Sequence, residues 1–310
     1  MPQAERQSYQ VTAPPKGTFI FSFRKEVCEV KLTDAIPIRN DCPSCGLSGD
    51  VKIFARRTDS VWAECQCGLV YLQTINPKPE QAPDRRPKIN IYERRRQRRI
   101  AKSRHQILDV MNHTGAGPLL DIGCSLGYTL EAALSLGIDS TGIDVDSRAV
   151  ECCRQMGFLV KQASMSQLPF DDDKFQIVTM KHVLEHTPEP RTALREVHRV
   201  LRPGGGLFIA VPHLRYHKAI RSPETHRFFN FLGDGKGDGH YVYYTPNSLC
   251  LMLNNLGFKV VKINPHLIHM KATVAIRFIQ AIVSPIRWLI QRALTALRLR
   301  KEFWLVAVKI

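Results

Sequence analysis

From about residue 118 to residue 263 the chain alternates short apolar runs with stretches whose apolar positions recur at helical spacing. The runs at 118–122, 140–145, 158–161, 175–180 and 207–211 read as strands. Between them 128–136, 148–156 and 190–201 read as helices, the first ended by Gly137 and the last closed by Pro203-Gly204-Gly205-Gly206. A further helix over 248–256 is stopped by Gly257, and strands are expected at 258–263 and 303–309. Strands that alternate with helices over such a length build an α/β fold, a mostly parallel sheet with helices on both faces.

Upstream the pattern changes. Residues 1–35 are a polar lead-in with one apolar run at 19–23. Residues 36–80 hold three short β-prone runs interleaved with clustered cysteines, a small β module. Pro77, Pro79, Pro83 and Pro87 mark a linker, and over 91–112 Ile100, Ile107, Leu108 and Met111 fall near a 3.6-residue period. The expected divisions are an extension (1–35), the cysteine module (36–80), a basic linker and helix (81–112), the α/β core (113–265) and a C-terminal part (266–310) of amphipathic basic helices and a final strand.

Composition narrows the picture. A chain of 310 residues that is 44% hydrophobic can bury a sizeable core and is not compositionally disordered. The net charge of +16 implies a phosphate-rich partner or membrane surface, and ten of the basic residues fall between Asp84 and Arg104. The first twenty residues have no apolar core, so no secretory signal is expected, nor is any run apolar enough to span a bilayer. A cytoplasmic protein is the expectation, and its nine cysteines then favour metal binding over disulfides.

The first core strand runs into Asp121-Ile122-Gly123-Cys124-Ser125-Leu126-Gly127. A glycine-rich turn between strand and helix lets a ligand approach the backbone and the helix N-terminus. A dinucleotide site would have its acid after the glycines. Here Asp121 precedes them, where it would repel pyrophosphate but accept from an ammonium group. A second acid, Asp144, ends the next strand and can take a ribose diol. One amine contact and one diol contact suit S-adenosylmethionine.

These residues resemble the class I methyltransferases, in the branch that includes ubiquinone-type and small-molecule enzymes. Leu168-Pro169-Phe170, Val183-Leu184-Glu185-His186 with Pro188, Arg199 through Gly205, and His240 through Phe258 match later motifs of that family in order. The resemblance implies a Rossmann-like, mostly parallel seven-stranded sheet with helices on both faces and the small β module appended. It carries the cofactor role onto Asp121, Gly123, Cys124, Ser125, Gly127, Asp144, Val145, Ser164, Met165 and Lys181. Ser125 replaces the usual middle glycine, and Ser164 stands where an acid often meets the adenine amine, so the Ser164 hydroxyl and the Met165 backbone would serve instead.

Cys42-Pro43-Ser44-Cys45 and Cys65-Gln66-Cys67-Gly68 form two knuckles suited to a tetrahedral zinc site of four thiolates, a zinc-ribbon-like arrangement. Four protein ligands leave no open position, so the expected role is structural. The second knuckle, with one intervening residue, is the tighter.

His182-Val183-Leu184-Glu185-His186 matches an inverted zinc-protease motif when read alone, but it follows a strand in a methyltransferase frame. Its relatives carry Glu-x-x-Glu-His, which can hold a divalent cation, so a catalytic cation stands as a lesser expectation beside His186 as general base or as a packing residue. The segment 212–244, rich in His and aromatic residues, is the expected cover of the acceptor and supplies His240 as a second base candidate.

The basic run 94–99 reads as a solvated helix face or a grip for RNA. The apolar and arginine-rich stretch 274–299 reads as helices on a membrane surface, or packed on the sheet or another subunit. The sequence thus points to O-methylation of a small molecule, sugar or lipid-linked acceptor. An RNA methyltransferase and a non-catalytic scaffold are the alternatives. Nothing in it fixes the oligomeric state.

Overall fold

The computed structural model describes residues 41–48, 51–56, 60–75, 96–214, 239–263 and 302–310. Its centre is a seven-stranded sheet. Strand β4 (Leu119–Ile122) pairs in parallel with β5 (Ser140–Asp144) on one side and β7 (Phe175–Lys181) on the other. Beyond β5 lies β6 (Val160–Gln162), parallel, and beyond β7 lies β8 (Leu201–Pro212), also parallel. The far edge is antiparallel: β11 (Glu302–Lys309) inserts between β8 and β10 (Phe258–Ile263). The chain therefore runs outward from β4 through β5 and β6, then returns to start β7 on the other side of β4. That reversal opens a crevice at the carboxyl ends of β4 and β7.

Alternation along the strands sorts side chains into two layers. Leu119, Ile177, Phe208, Ala210 and Val306 face helices α1 (Arg96–Thr114) and α2 (Tyr128–Leu134), packing on Ile107, Val110, Ala132 and Ala133. Leu120, Val178, Met180, Leu207 and Ile209 face the other way, against Ala193, Leu194 and Val197 of α4 (Pro190–Val200) and Leu249, Met252 and Leu253 of α5 (Pro246–Asn254). Helix α3 (Ser147–Gln155) follows β5 and is N-capped by Asp146, whose carboxylate accepts from the Arg148 N–H. Thr245 caps α5 in a reciprocal box with Ser248.

The small sheet comprises β1 (Lys52–Arg56), β2 (Ser60–Glu64), β3 (Val70–Ile75) and β9 (Val242–Tyr243), all antiparallel. Its last strand comes from far along the chain. Cys42, Ala63, Leu69 and Tyr71 share the apolar cluster that contains Leu120 and Ile209, and the Ser44 hydroxyl donates to the Ser248 carbonyl at 2.7 Å.

One sequence expectation changes at β8. The Pro203–Gly206 run was expected to separate α4 from a strand at 207–211, but extended pairing begins at once at Leu201, opposite Phe175, and resumes at Gly206 opposite Ile177. The extra residues bulge out, with Gly204 at φ 74°. The glycine at 206 has a packing cause. A Cβ there would lie 2.4 Å from Val110 Cγ1 and 2.8 Å from Thr114 Cγ2, because α1 sits directly on the strand. Gly206→Ala is expected to cost about 1–3 kcal/mol, as overpacking does. A lowered denaturant midpoint checks it.

Candidate functional site

Three groups lie at the crevice, and a fourth belongs to the cysteine module. The first is the loop that leaves β4. Gly123, Ser125 and Gly127 all have positive φ, 72°, 48° and 73°. At Gly123 a Cβ would lie 2.5 Å from Val183 Cγ2, so the residue after His182 dictates glycine there. Ser125 accepts the left-handed conformation at a steric cost that glycine avoids. Its N–H donates to Asp144 Oδ2 at 2.9 Å, and the Asp146 N–H donates to Oδ1 at 2.9 Å. Asp144 thus ties the glycine loop to the end of β5, and each of its oxygens keeps a further acceptor position. Val145, next to it, exposes 67% of its surface. Ser164 lies at the end of β6, where its hydroxyl accepts from the Ser166 N–H at 3.2 Å, and half-buried Met165 follows. The Cys124 side chain is buried beneath Gly142, so only its backbone faces the loop.

The second group is buried charge. Asp121, Thr179 and Lys181 alternate onto the α1/α2 face of β4 and β7. Asp121 Oδ1 accepts from the Thr179 hydroxyl at 2.5 Å. The Lys181 ammonium donates to Ser103 Oγ of α1 at 2.9 Å and to Thr129 Oγ1 of α2 at 2.5 Å. Burial pushes the Asp121 carboxyl up, opposed by Lys181 and by hydrogen bonds from Thr179 and Thr129. Burial likewise pulls the Lys181 ammonium down, opposed by Asp121. Each charge is the main compensation for the other.

The third group follows β7. His182, at φ 56°, turns its ring so that Nε2 lies 2.6 Å from Glu302 Oε2 of β11 and Nδ1 lies 3.3 Å from Glu185 Oε1. Glu302 also pairs with Lys102 of α1 at 2.5 Å. Desolvation works against the His182 charge, yet the Glu185 and Glu302 hydrogen bonds prevail and raise it from 6.5 to about 9. Glu302 is lowered from 4.5 to about 2, chiefly by its hydrogen bond to His182, against burial. In the short 3₁₀ turn Leu184–His186, Glu185 is fully buried. His186 Nδ1 lies 3.0 Å from the Gly239 carbonyl, which can only accept, so Nδ1 carries the proton and Nε2 is the acceptor of the neutral ring. The His240 ring stands edge-on to His186 with centroids 4.8 Å apart. Glu185, His186 and His240 each present a ligand atom within 4.8 Å of the others.

The fourth group is the cysteine cluster. The four sulfurs of Cys42, Cys45, Cys65 and Cys67 lie within 4.8 Å of one another. Cys42 and Cys67 are 3.7 Å apart, Cys45 and Cys65 3.5 Å. A zinc tetrahedron with Zn–S near 2.3 Å has S···S edges of ~3.8 Å, so the donor set fits that ion. Both knuckles close on a glycine in the left-handed region, Gly46 at φ 74° and Gly68 at φ 86°. Gly46 N–H returns to Cys42 O, while Gly68 N–H returns to Cys65 O, one residue tighter, as the shorter second spacing requires. The hydrogen bond from Cys42 holds the Cys67 thiol down at about 5.

Residues 120–209 match the family model described as a methyltransferase domain. The ubiquinone biosynthesis O-methyltransferase of Aeromonas salmonicida is 30% identical over 155 residues, 46% of this chain and 63% of that protein. That of Pseudomonas aeruginosa is 33% identical over 99 residues, 30% of this chain and 43% of its own length. The α/β core is a class I methyltransferase domain. The chain spans less than two thirds of the length of these relatives. A chain of the solved complex between the Haloferax volcanii Trm112 methyltransferase activator and a methyltransferase has the same fold. It aligns at TM-score 0.50 and 17% identity, covering 72% of this chain and 98% of that one.

Within this methyltransferase domain the structure gathers Asp121, Gly123, Ser125, Gly127, Asp144 and Lys181 around the crevice, with Val145, Ser164 and Met165 along the β5–β6 side. It also brings together His186 and His240, named separately from sequence. Of the segment 212–244 only its ends are described, and they meet: His213 bridges to Tyr244, and the Leu214 N–H donates to the Tyr244 carbonyl at 3.0 Å. Residues 1–40, the basic Arg94 and Arg95, and 274–299 lie outside the described residues. Several α1 cations are engaged within the fold, Arg96 with Glu131, Arg99 over the Tyr128 ring and Lys102 with Glu302. Among the described residues no helix is long and apolar enough to cross a membrane. Sequence reasoning missed Ser103, Thr129, Thr179 and Glu302. Thr179 was accessible from period-2 alternation with Lys181; Ser103 and Glu302 come from distant segments and carried no local signal.

The His182–Glu302 pair sets a pH window. A histidine raised in the folded state contributes its stability below 6.5 and loses it as pH climbs through about 9. A depressed glutamate contributes above 4.5 and loses it as pH falls through about 2. Glu302→Gln is therefore expected to lower the melting temperature more at pH 6 than at pH 10. Equal losses at both would show that the pair does not act this way.

Proposed function

We propose that the chain transfers a methyl group from S-adenosylmethionine to a hydroxyl oxygen of a small molecule. The observation that carries this reading is one crevice holding both a glycine loop tied down by Asp144 and a histidine, His186, fixed in the tautomer of a base. When bound, S-adenosylmethionine supplies an electrophilic methyl group on a sulfonium. Asp144 would hold the ribose diol through the acceptor positions it keeps. Gly123 and Gly127 give the donor access to the backbone, and Val145 with Met165 would enclose the adenine, with Ser164 beside its amine. Lys181 would take the donor carboxylate, and Asp121 its ammonium. His186 Nε2 would accept the proton of the acceptor hydroxyl as that oxygen takes the methyl group. Much of the rate then comes from alignment of donor and acceptor. The relatives named as ubiquinone biosynthesis O-methyltransferases support an oxygen acceptor, and the histidine and tyrosine side chains around His240 suit one that carries a ring.

A second reading of the same residues rests on Glu185, His186 and His240 offering three ligand atoms within 4.8 Å. A divalent cation held there would orient two acceptor oxygens and lower the pKa of the one that attacks. Chelation that abolishes turnover, restored by magnesium or manganese, would favour it over the metal-free base.

We also propose that the four cysteines bind a structural zinc ion, supported by their sulfur spacing. Metal analysis is expected to find one zinc per chain, lost in Cys67→Ser; a wild-type protein without zinc would refute it.

Calorimetry tests the main reading. Wild-type protein should bind S-adenosylmethionine, and Asp144→Ala should weaken it by about tenfold or more, the loss of one or more charge-assisted hydrogen bonds. No binding at all would leave a scaffold. With labelled donor and a panel of phenols and catechols, His186→Ala should reduce turnover by about 10²–10⁴-fold with donor affinity unchanged. Steep, salt-dependent RNA binding with methylation of RNA would replace the small-molecule acceptor.

A further inference from the structure

The acceptor-side histidines do not rest on the methyltransferase sheet alone. His240 immediately precedes β9, and β9 is only two residues long. So short a strand has no stability of its own. Its ladder partner among the described residues is β3 of the cysteine module, with Val70 opposite Tyr243 and Tyr71 opposite Val242. The second knuckle feeds β3 directly, since the Cys65 N–H bonds the Leu69 carbonyl at 2.9 Å and β3 starts at the next residue.

Two lines of contact continue from the module to the site. The first is backbone. The Leu72 N–H donates to the Tyr241 carbonyl at 2.9 Å, and the Tyr241 N–H donates to the Glu185 carbonyl at 2.8 Å. Tyr241 is thus clamped between β3 and the turn that carries His186. The second is a run of rings. Trp62 of β2, fully buried, meets Tyr243 at 5.3 Å between centroids. Tyr243 meets His240 at 5.4 Å, and His240 meets His186 at 4.8 Å. Aromatic pairs at such distances hold preferred tilts. By contrast, the donor loop is braced among the described residues by Asp144, Val183, Phe158 and Cys153 of the core.

We propose that the cysteine module is a positioning device for the acceptor side: metal-locked knuckles hold β3, and Trp62, Tyr243 and Tyr241 set the placement of His240 and His186. The functional meaning of this rests on the methyl-transfer reading; the geometry does not. Trp62, Tyr241 and Tyr243 are positioning residues, acting through the histidines. The module would then select the acceptor without touching the donor, and metal loss would be felt at the histidines.

Imidazole nitrogen resonances of ¹⁵N-histidine-labelled full chain test this. His186 and His240 are assigned with His186→Gln and His240→Gln, and His105 and His113, on α1, serve as internal controls. Trp62→Ala is expected to keep its zinc and its affinity for S-adenosylhomocysteine while the His186 and His240 signals shift. Trp62→Phe, which keeps a ring, should restore them. Chelation of wild-type protein should shift the same two signals, and added zinc or cadmium should return them. Unmoved His186 and His240 signals in both Trp62→Ala and the chelated protein would overturn the proposal, as would shifts of equal size at His105 and His113, which would mean general loosening. If the two signals move as expected but wild-type protein binds no S-adenosylhomocysteine, the positioning stands and the methyl-transfer reading falls.

Discussion

The parallel pairing of β4 between β5 and β7 is the constraint on which the functional edge depends. A parallel strand buried on both faces needs partners on both sides, and β4 takes one from the next unit in the chain and one from the unit after that. The reversal sends the chain away in opposite directions from the carboxyl ends of β4 and β7, which opens the crevice there. The glycine loop, Asp144 and Lys181 all lie there because those strands end there. Gly123 fits tightly under Val183, since both residues lie just past the ends of these adjacent strands.

Alternation along those strands then decides where charge is buried. Leu119, Ile177 and Phe208 send apolar side chains toward α1 and α2, but on the same face, nearer the crevice, stand Asp121, Thr179 and Lys181. A charged pair at that depth survives because each charge answers the other and the hydroxyls of Ser103, Thr129 and Thr179 bond to it. Past the end of β7, His182 lies between the carboxylates of Glu185 and Glu302, the second contributed by β11. The two charge clusters flank the crevice and share α1, which supplies Ser103 to one and Lys102 to the other.

The cysteine module extends that logic to the small sheet. A four-stranded sheet completed by Val242 and Tyr243 makes the module part of the fold rather than an appendage. Its knuckles close on Gly46 and Gly68, and Ala63, Leu69 and Tyr71 pack together with Cys42 and Cys65 into the core cluster. A module of this size gains its rigidity from a metal more readily than from a core of its own.

The strand–helix alternation, the acid before the glycines, Asp144 at the end of the next strand and the two cysteine knuckles are all local patterns. Local patterns are written in the sequence because backbone geometry and side-chain period translate directly into spacing. They determined the α/β class, the glycine loop with its two acids and the four-cysteine cluster. Even the order of β7, β8 and α4 was legible, though the need for glycine at 206 was not, since only the approach of α1 to β8 requires it. Tertiary structure alone decided that His186 and His240 touch, that Lys181 answers Asp121 with the help of Ser103, that Glu302 closes on His182, and that β9 joins the cysteine module. Each of these joins residues dozens to hundreds of positions apart, and no period or spacing along a chain records which distant segments will share a sheet edge.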